Sequence, residues 1–181
     1  MKREFKINKP FCLWFTGLPS SGKTTLAKAF KENLEKKGAQ IVHLDGDILR
    51  KGLCSDLGFS KKDREENNRR VIFVAQLLAK NKIPVVVSFI SPYKKIRDFA
   101  KKTIPNTLVT YIKCPIKECQ KRDVKGLYEK AARGEIENMT GVNDPYEEPT
   151  DYDIMIQTDI MSVKEGVSYI LKYLKNNNYI V

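Results

Sequence analysis

The stretch Gly17-Leu18-Pro19-Ser20-Ser21-Gly22-Lys23-Thr24 restricts what this chain can fold into more than any other. It spaces its residues as G-x-x-x-x-G-K-[ST], and a second threonine, Thr25, follows. Before it, Phe11 to Thr16 is apolar almost without interruption, as in a parallel strand covered on both faces. After it, Leu26, Ala27, Phe30 and Leu34 recur at helical spacing. Gly17 and Gly22 let the backbone curl until successive N–H groups share one centre, and the helix N-terminus adds partial positive charge. Lys23 then reaches the outer phosphates, and the Thr24 hydroxyl ligates Mg²⁺. A chance glycine-serine turn would lack both flanks. Residues Gly17 to Thr25 therefore read as the binding loop for a nucleoside triphosphate.

The rest of the chain alternates apolar runs with helical patterns. Gln40 to Leu44 reads as a strand ending at Asp45-Gly46-Asp47, and Lys61 to Lys82 as a long amphipathic helix. Ile83 to Ile90 is a central strand, Tyr93 to Lys102 a helix, and Thr107 to Lys113 another strand. A helix follows Pro115, then a glycine- and charge-rich segment from Lys125 to Pro149. Ile154 to Ile156 is a short strand and Val163 to Leu174 a final helix. This order predicts an α/β fold, a three-layer parallel sheet with helices on both faces, within a single domain over 1–181. Ligands bind such sheets at the carboxyl ends of the strands, which directs attention to Asp45-Gly46-Asp47 and Ser88-Phe89-Ile90-Ser91.

Lysine and arginine outnumber aspartate and glutamate by 33 to 22, a formal charge of +11. The lysines are scattered along helices rather than massed in a tail, which fits a solvated surface and an anionic small substrate better than nucleic acid. No apolar run reaches the roughly 18 residues of a membrane span, and Met1 to Lys6 lacks a signal-peptide core, so a cytoplasmic protein is expected. Cys12, Cys54, Cys114 and Cys119 form no C-x-x-C pair and read as reduced, structural thiols. Met1 to Lys9 reads as loosely ordered, and His43, mid-strand, as a core residue.

A guanine-reading N-K-x-D is missing, since Asn81-Lys82-Ile83 runs into Pro84. The best apolar strand ends in serines, and the carboxylates follow the second strand, a layout that suits a small kinase. Asp45 and Asp47 lie two apart, so that one can face the metal's water shell and the other a substrate hydroxyl. Arg50, Arg64, Arg69 and Arg70 bring guanidinium groups to one side of the site, and Arg64 shares a helix face with Asn67. The substrate itself is expected to be anionic.

These stretches resemble the adenylylsulfate kinase (APS kinase) family. The similarity runs in order through Gly17 to Thr25, Leu44 to Leu53, Asp56 to Ser60, Asp63 to Arg70, Ser88 to Tyr93, Arg122 to Tyr128, Gly134 to Ile136 and Thr140-Gly141. The resemblance implies transfer of the γ-phosphate of ATP to the 3′-hydroxyl of adenosine 5′-phosphosulfate, giving PAPS and ADP. It places Asp47 beside that hydroxyl, with Arg50, Arg64 and Asn67 on the phosphosulfate end and Phe59 stacked on the substrate adenine. Ile90, Ser91 and Lys125 complete the pocket, Arg122 covers the ATP base, and Lys125 to Pro149 forms a mobile lid. A homodimer is implied as well. Ser91 matches the serine described in the family as a phosphoserine intermediate, although in-line transfer needs no protein nucleophile and hydrogen bonding to substrate is the alternative. Ile48 stands where the family often has asparagine. Met139 stands where it usually has the phenylalanine that helps sandwich the substrate adenine. Two other readings remain open on the residues alone: a nucleoside or nucleotide kinase of the same architecture, and a non-enzymatic nucleotide-dependent binding module.

Overall fold

The computed structural model describes residues 5–181. Strands β1 (Cys12–Thr16), β2 (Val42–Asp45), β3 (Val85–Ser88), β4 (Thr107–Lys113) and β5 (Ile154–Gln157) pair in parallel, in the order β2-β3-β1-β4-β5. Between and after them run α1 (Lys23–Glu35), α2 (Gly46–Arg50), α3 (Lys61–Lys80), α4 (Lys94–Thr103), α5 (Ile116–Arg122), α6 (Leu127–Ala132) and α7 (Val163–Asn176). This is the expected α/β architecture, with helices on both faces of the sheet.

The central strand explains why its sequence shows no polar alternation. Successive side chains point to opposite faces, and here both faces are covered. Leu13 and Phe15 pack with Phe30 and Leu34 of α1 and Ile170 of α7. Cys12 and Trp14 pack with Val71 and Ala75 of α3 and Ile96 of α4. Gly166 lets α7 lie close, since a Cβ there would sit 3.0 Å from Leu26 Cδ1 and 3.3 Å from Ile156 Cγ2.

Three local differences from the sequence reading have physical causes. The strand ending at Asp45 runs into a short helix, α2, absent from the sequence reading: Asp45 Oδ1 accepts from the Asp47 and Ile48 amides at 3.0 and 3.4 Å and so caps it. The segment 125–149 contains a helix, α6, capped by the Asp123 carboxylate, which accepts from the Leu127 and Glu129 amides. Residues 6–9 are not loose. Ile7 bridges Ile180, Asn8 N donates to Tyr179 O at 2.8 Å, and Val181 N to Lys6 O at 3.0 Å. Residues 1–4, also expected to be loose, lie outside the described residues.

The four cysteines are buried and unpaired. No helix among the described residues is long and apolar enough to cross a membrane.

Candidate active site

The loop between β1 and α1 closes tightly on itself. A Cβ at Gly17 would lie 2.5 Å from Ile112 O, a backbone atom of the neighbouring strand, so only glycine fits. Gly22, at φ +93°, caps α1. The Lys23 ammonium donates to Gly17 O at 2.9 Å, Leu18 O at 2.6 Å and Ser21 Oγ at 3.3 Å. Burial holds its pKa down at about 8. It is a cation kept among neutral oxygens, where phosphate oxygens would compete well.

Thr24, first-turn neighbour of that lysine, donates to Asp45 Oδ2 at 2.8 Å. Ser88 Oγ donates to the same oxygen at 3.0 Å, and His43 Nε2 lies 2.7 Å from Ser88 Oγ. The parallel register that pairs Asp45 with Ser88 makes this possible. Burial alone would push the Asp45 carboxyl up, but the Thr24, Ser88 and Asp47 hydrogen bonds outweigh it and hold the group below the usual carboxylate range. With its proton turned to Asp45, Thr24 Oγ1 keeps its lone pairs for a hard cation such as Mg²⁺, whose preferred ligands are oxygens. The donor set fits.

Asp47 begins the first turn of α2, two residues past this carboxylate, and ion-pairs with Lys125 of the segment 125–149. Both charges are near enough to bear on the Lys23 pKa, Asp47 raising it and Lys125 lowering it.

Beyond α2 lies a basic, aromatic corner. The Arg50 guanidinium sits 4.4 Å from the Phe59 ring centroid and Arg64 5.8 Å from it. Oriented with its oxygen toward Arg50, the buried Asn67 amide accepts from Arg50 Nη2 at 2.9 Å and Nε at 3.1 Å. Arg50 also donates to Leu57 O and Gly58 O. Arg64 donates to Phe59 O at 2.9 Å and Thr140 Oγ1 at 3.2 Å, and also to Asn138 O. Burial and the neighbouring Arg64 charge lower the Arg50 pKa. Two like charges held beside an exposed ring favour a ligand that is both anionic and flat.

The remaining candidates divide by exposure. Ile90 O accepts from Thr16 Oγ1 at 2.7 Å beside the loop. Ser91 is buried, accepts from Trp14 Nε1 at 3.0 Å and donates to Asn68 Oδ1 at 3.1 Å. Met139 packs in a small cluster with Cys114, Cys119, Tyr128 and Ala131, against Leu18 of the loop. Arg122 donates to Thr158 Oγ1 at 3.1 Å and Thr158 O at 2.7 Å, and Thr158 Oγ1 donates to Ser21 O at 2.8 Å. Arg122 is thereby tied to the phosphate loop.

A family model described as adenylylsulphate kinase matches residues 9–157. The chain belongs to the adenylylsulphate kinase family. Within it, the adenylyl-sulfate kinase of Halothermothrix orenii is 48% identical over 172 residues, 95% of this chain and 93% of that protein. The Mycobacterium tuberculosis APS kinase CysC, in a structure in complex with AMPPNP and APS, superposes with TM-score 0.88 at 40% identity, covering 92% of this chain and 98% of that one. A hexameric APS kinase from Thiobacillus denitrificans gives TM-score 0.72 at 31% identity, over 94% of this chain and 30% of that one.

For a member of the adenylylsulphate kinase family, the structure gathers Lys23, Thr24, Asp45, Asp47 and Lys125 at one end of the sheet. It also brings Arg50, Phe59, Arg64 and Asn67 together. Asp45 and Met139, singled out in the sequence, are 4% and 5% exposed and engaged by protein partners. Asp45 acts as helix cap and hydroxyl acceptor, and Met139 packs against the loop. His43 is more than a core residue, because its Nε2 joins the Ser88–Asp45 chain. Sequence reasoning missed the polar roles of His43 and Thr158, whose partners lie on elements distant in sequence. Ser88 carried a signal, a polar residue ending an apolar strand.

Proposed function

We propose that this protein transfers the γ-phosphate of ATP to the 3′-hydroxyl of adenosine 5′-phosphosulfate, giving PAPS and ADP. The observation that carries the reading is the Asp47–Lys125 pair, which stands between the phosphate loop and the Arg50–Phe59–Arg64 corner. The loop amides, Lys23 and Arg122 hold ATP. Thr24 would hold Mg²⁺, which when bound would supply charge neutralisation at the phosphates. Asp47 orients the acceptor hydroxyl and takes its proton as the P–O bond forms. Lys125 exchanges Asp47 for the anionic end of the substrate, which Arg50 and Arg64 also grip, with Asn67 fixing the Arg50 fork. Phe59 offers its free face to the substrate adenine, beside the Ile90 and Ser91 backbone. The segment 125–149 acts as a lid that excludes water.

The Thiobacillus relative is hexameric, and for this chain a homodimer is proposed, checked by sedimentation equilibrium. A cytoplasmic setting, where ATP is available, goes with the reading. The deciding experiment is coupled ADP release with adenylylsulfate, AMP and thymidylate as acceptors. Turnover with adenylylsulfate alone is expected. Turnover with AMP or thymidylate, or with no acceptor at all, overturns the proposal.

A further inference from the structure

The chain has a single histidine, and it lies where the reaction as described does not use it. The His43 side chain is 6% exposed, its Nε2 is 2.7 Å from Ser88 Oγ, and Asp45 Oδ2 lies 3.9 Å from that nitrogen. Ser88 has one hydroxyl proton. If it went to His43, Ser88 Oγ and Asp45 Oδ2 would face each other at 3.0 Å with no hydrogen between them. The contact with the carboxylate is satisfied only when the proton goes to Asp45, which requires His43 to donate from Nε2.

We propose that His43 is a positioning residue, whose Nε2–H fixes the Ser88 proton on Asp45 and so keeps Asp45 aligned to hold the Thr24 hydroxyl for the cation. The order of donors is His43 to Ser88, Ser88 to Asp45, and Thr24 to Asp45. Burial, with Lys28 and Lys31 of α1 acting in the same sense against Asp45, lowers the imidazole pKa and favours the neutral ring in which a tautomer can be defined. The functional half of the inference rests on the kinase reading above. The hydrogen-bond half does not.

Two measurements keep them apart. In the full chain, ¹⁵N-resolved NMR of the lone imidazole is expected to show the Nε2–H tautomer, with its signals shifting in Ser88→Ala. The Nδ1–H tautomer overturns the proposal whether or not adenylylsulfate is turned over. In the second, Mg²⁺ dependence of ATP-analogue binding is titrated calorimetrically in His43→Leu and His43→Gln. Leucine is expected to raise the Mg²⁺ needed for half-saturation by up to about tenfold, the upper end for one neutral hydrogen bond. Glutamine, whose amide nitrogen can donate from a similar reach, should restore it to within about twofold. Equal Mg²⁺ dependence in the parent and the leucine variant, or no rescue by glutamine, overturns it.

Discussion

The indole Nε1 of Trp14 donates to Ser91 Oγ at 3.0 Å, and the same hydroxyl donates to Asn68 Oδ1 at 3.1 Å. A hydroxyl engaged on both sides inside the protein is poorly placed to attack a phosphate. Ser91→Ala is therefore expected to keep turnover within about tenfold of the parent while losing about 1–3 kcal/mol of stability, because a buried donor and acceptor lose their partner. As the only tryptophan, Trp14 should report the change in its fluorescence. Complete loss of activity with a trapped phosphoserine in the parent would reverse this conclusion.

Asp47 and Lys125 are expected to separate in kinetics. Asp47→Asn keeps the shape but not the base, so kcat should fall about 10²- to 10⁴-fold with little change in the KM for ATP. Lys125→Ala should act mainly on the KM for the sulfate-bearing substrate, since its partner there is an anion. Steady-state rates with each substrate varied in turn make the distinction.

Lys23 couples nucleotide binding to protons. Burial lowers its pKa from 10.5 to about 8. Between those values the folded chain binds fewer protons than the unfolded one, so this residue's contribution to stability rises with pH. Phosphate oxygens favour the charged form again. ATP binding should therefore take up as much as one proton above about pH 8 and almost none near neutrality. Calorimetry in buffers of different ionisation enthalpy measures the uptake directly, and proton release on binding would contradict the mechanism.

Arg64 fastens the segment 125–149 to α3 through Asn138 O and Thr140 Oγ1. Arg64→Ala should speed tryptic cleavage after Lys130 and Arg133 several-fold, and saturating nucleotides should slow it again. Mass spectrometry of a limited digest reads out both.

Much of the frame was legible because it is written in runs. The reading of β4 as Thr107 to Lys113 agrees with the structure at both ends, where Asn106 precedes the strand and Pro115 soon follows it. The phosphate loop was legible because its spacing is local. What escaped was local structure without periodicity, such as the five-residue α2, and contacts made only by register. His43 meets Ser88 because β2 lies beside β3, and nothing near either residue in sequence announces that. Asp45 was singled out for its chemistry, but whether a carboxylate faces substrate or a ring of donors depends on neighbours 21 and 43 residues away. Arg122 was placed at the nucleotide by resemblance. Its tether, Thr158, lies 36 residues on and could not be seen without the fold.

The cluster of Cys114, Cys119, Tyr128, Ala131 and Met139 shares no residue with the two larger clusters on the faces of the sheet. It rests on Leu18, and Tyr128 Oη donates to Pro19 O at 3.1 Å, so its floor is the phosphate loop itself. Were the segment 125–149 to act as the proposed lid, opening it would break this small patch together with contacts such as Tyr128–Pro19 and Arg64–Asn138, while the two larger clusters on the sheet stayed packed. Product escape would then need only a hatch to lift, leaving the cradle formed for the next nucleotide.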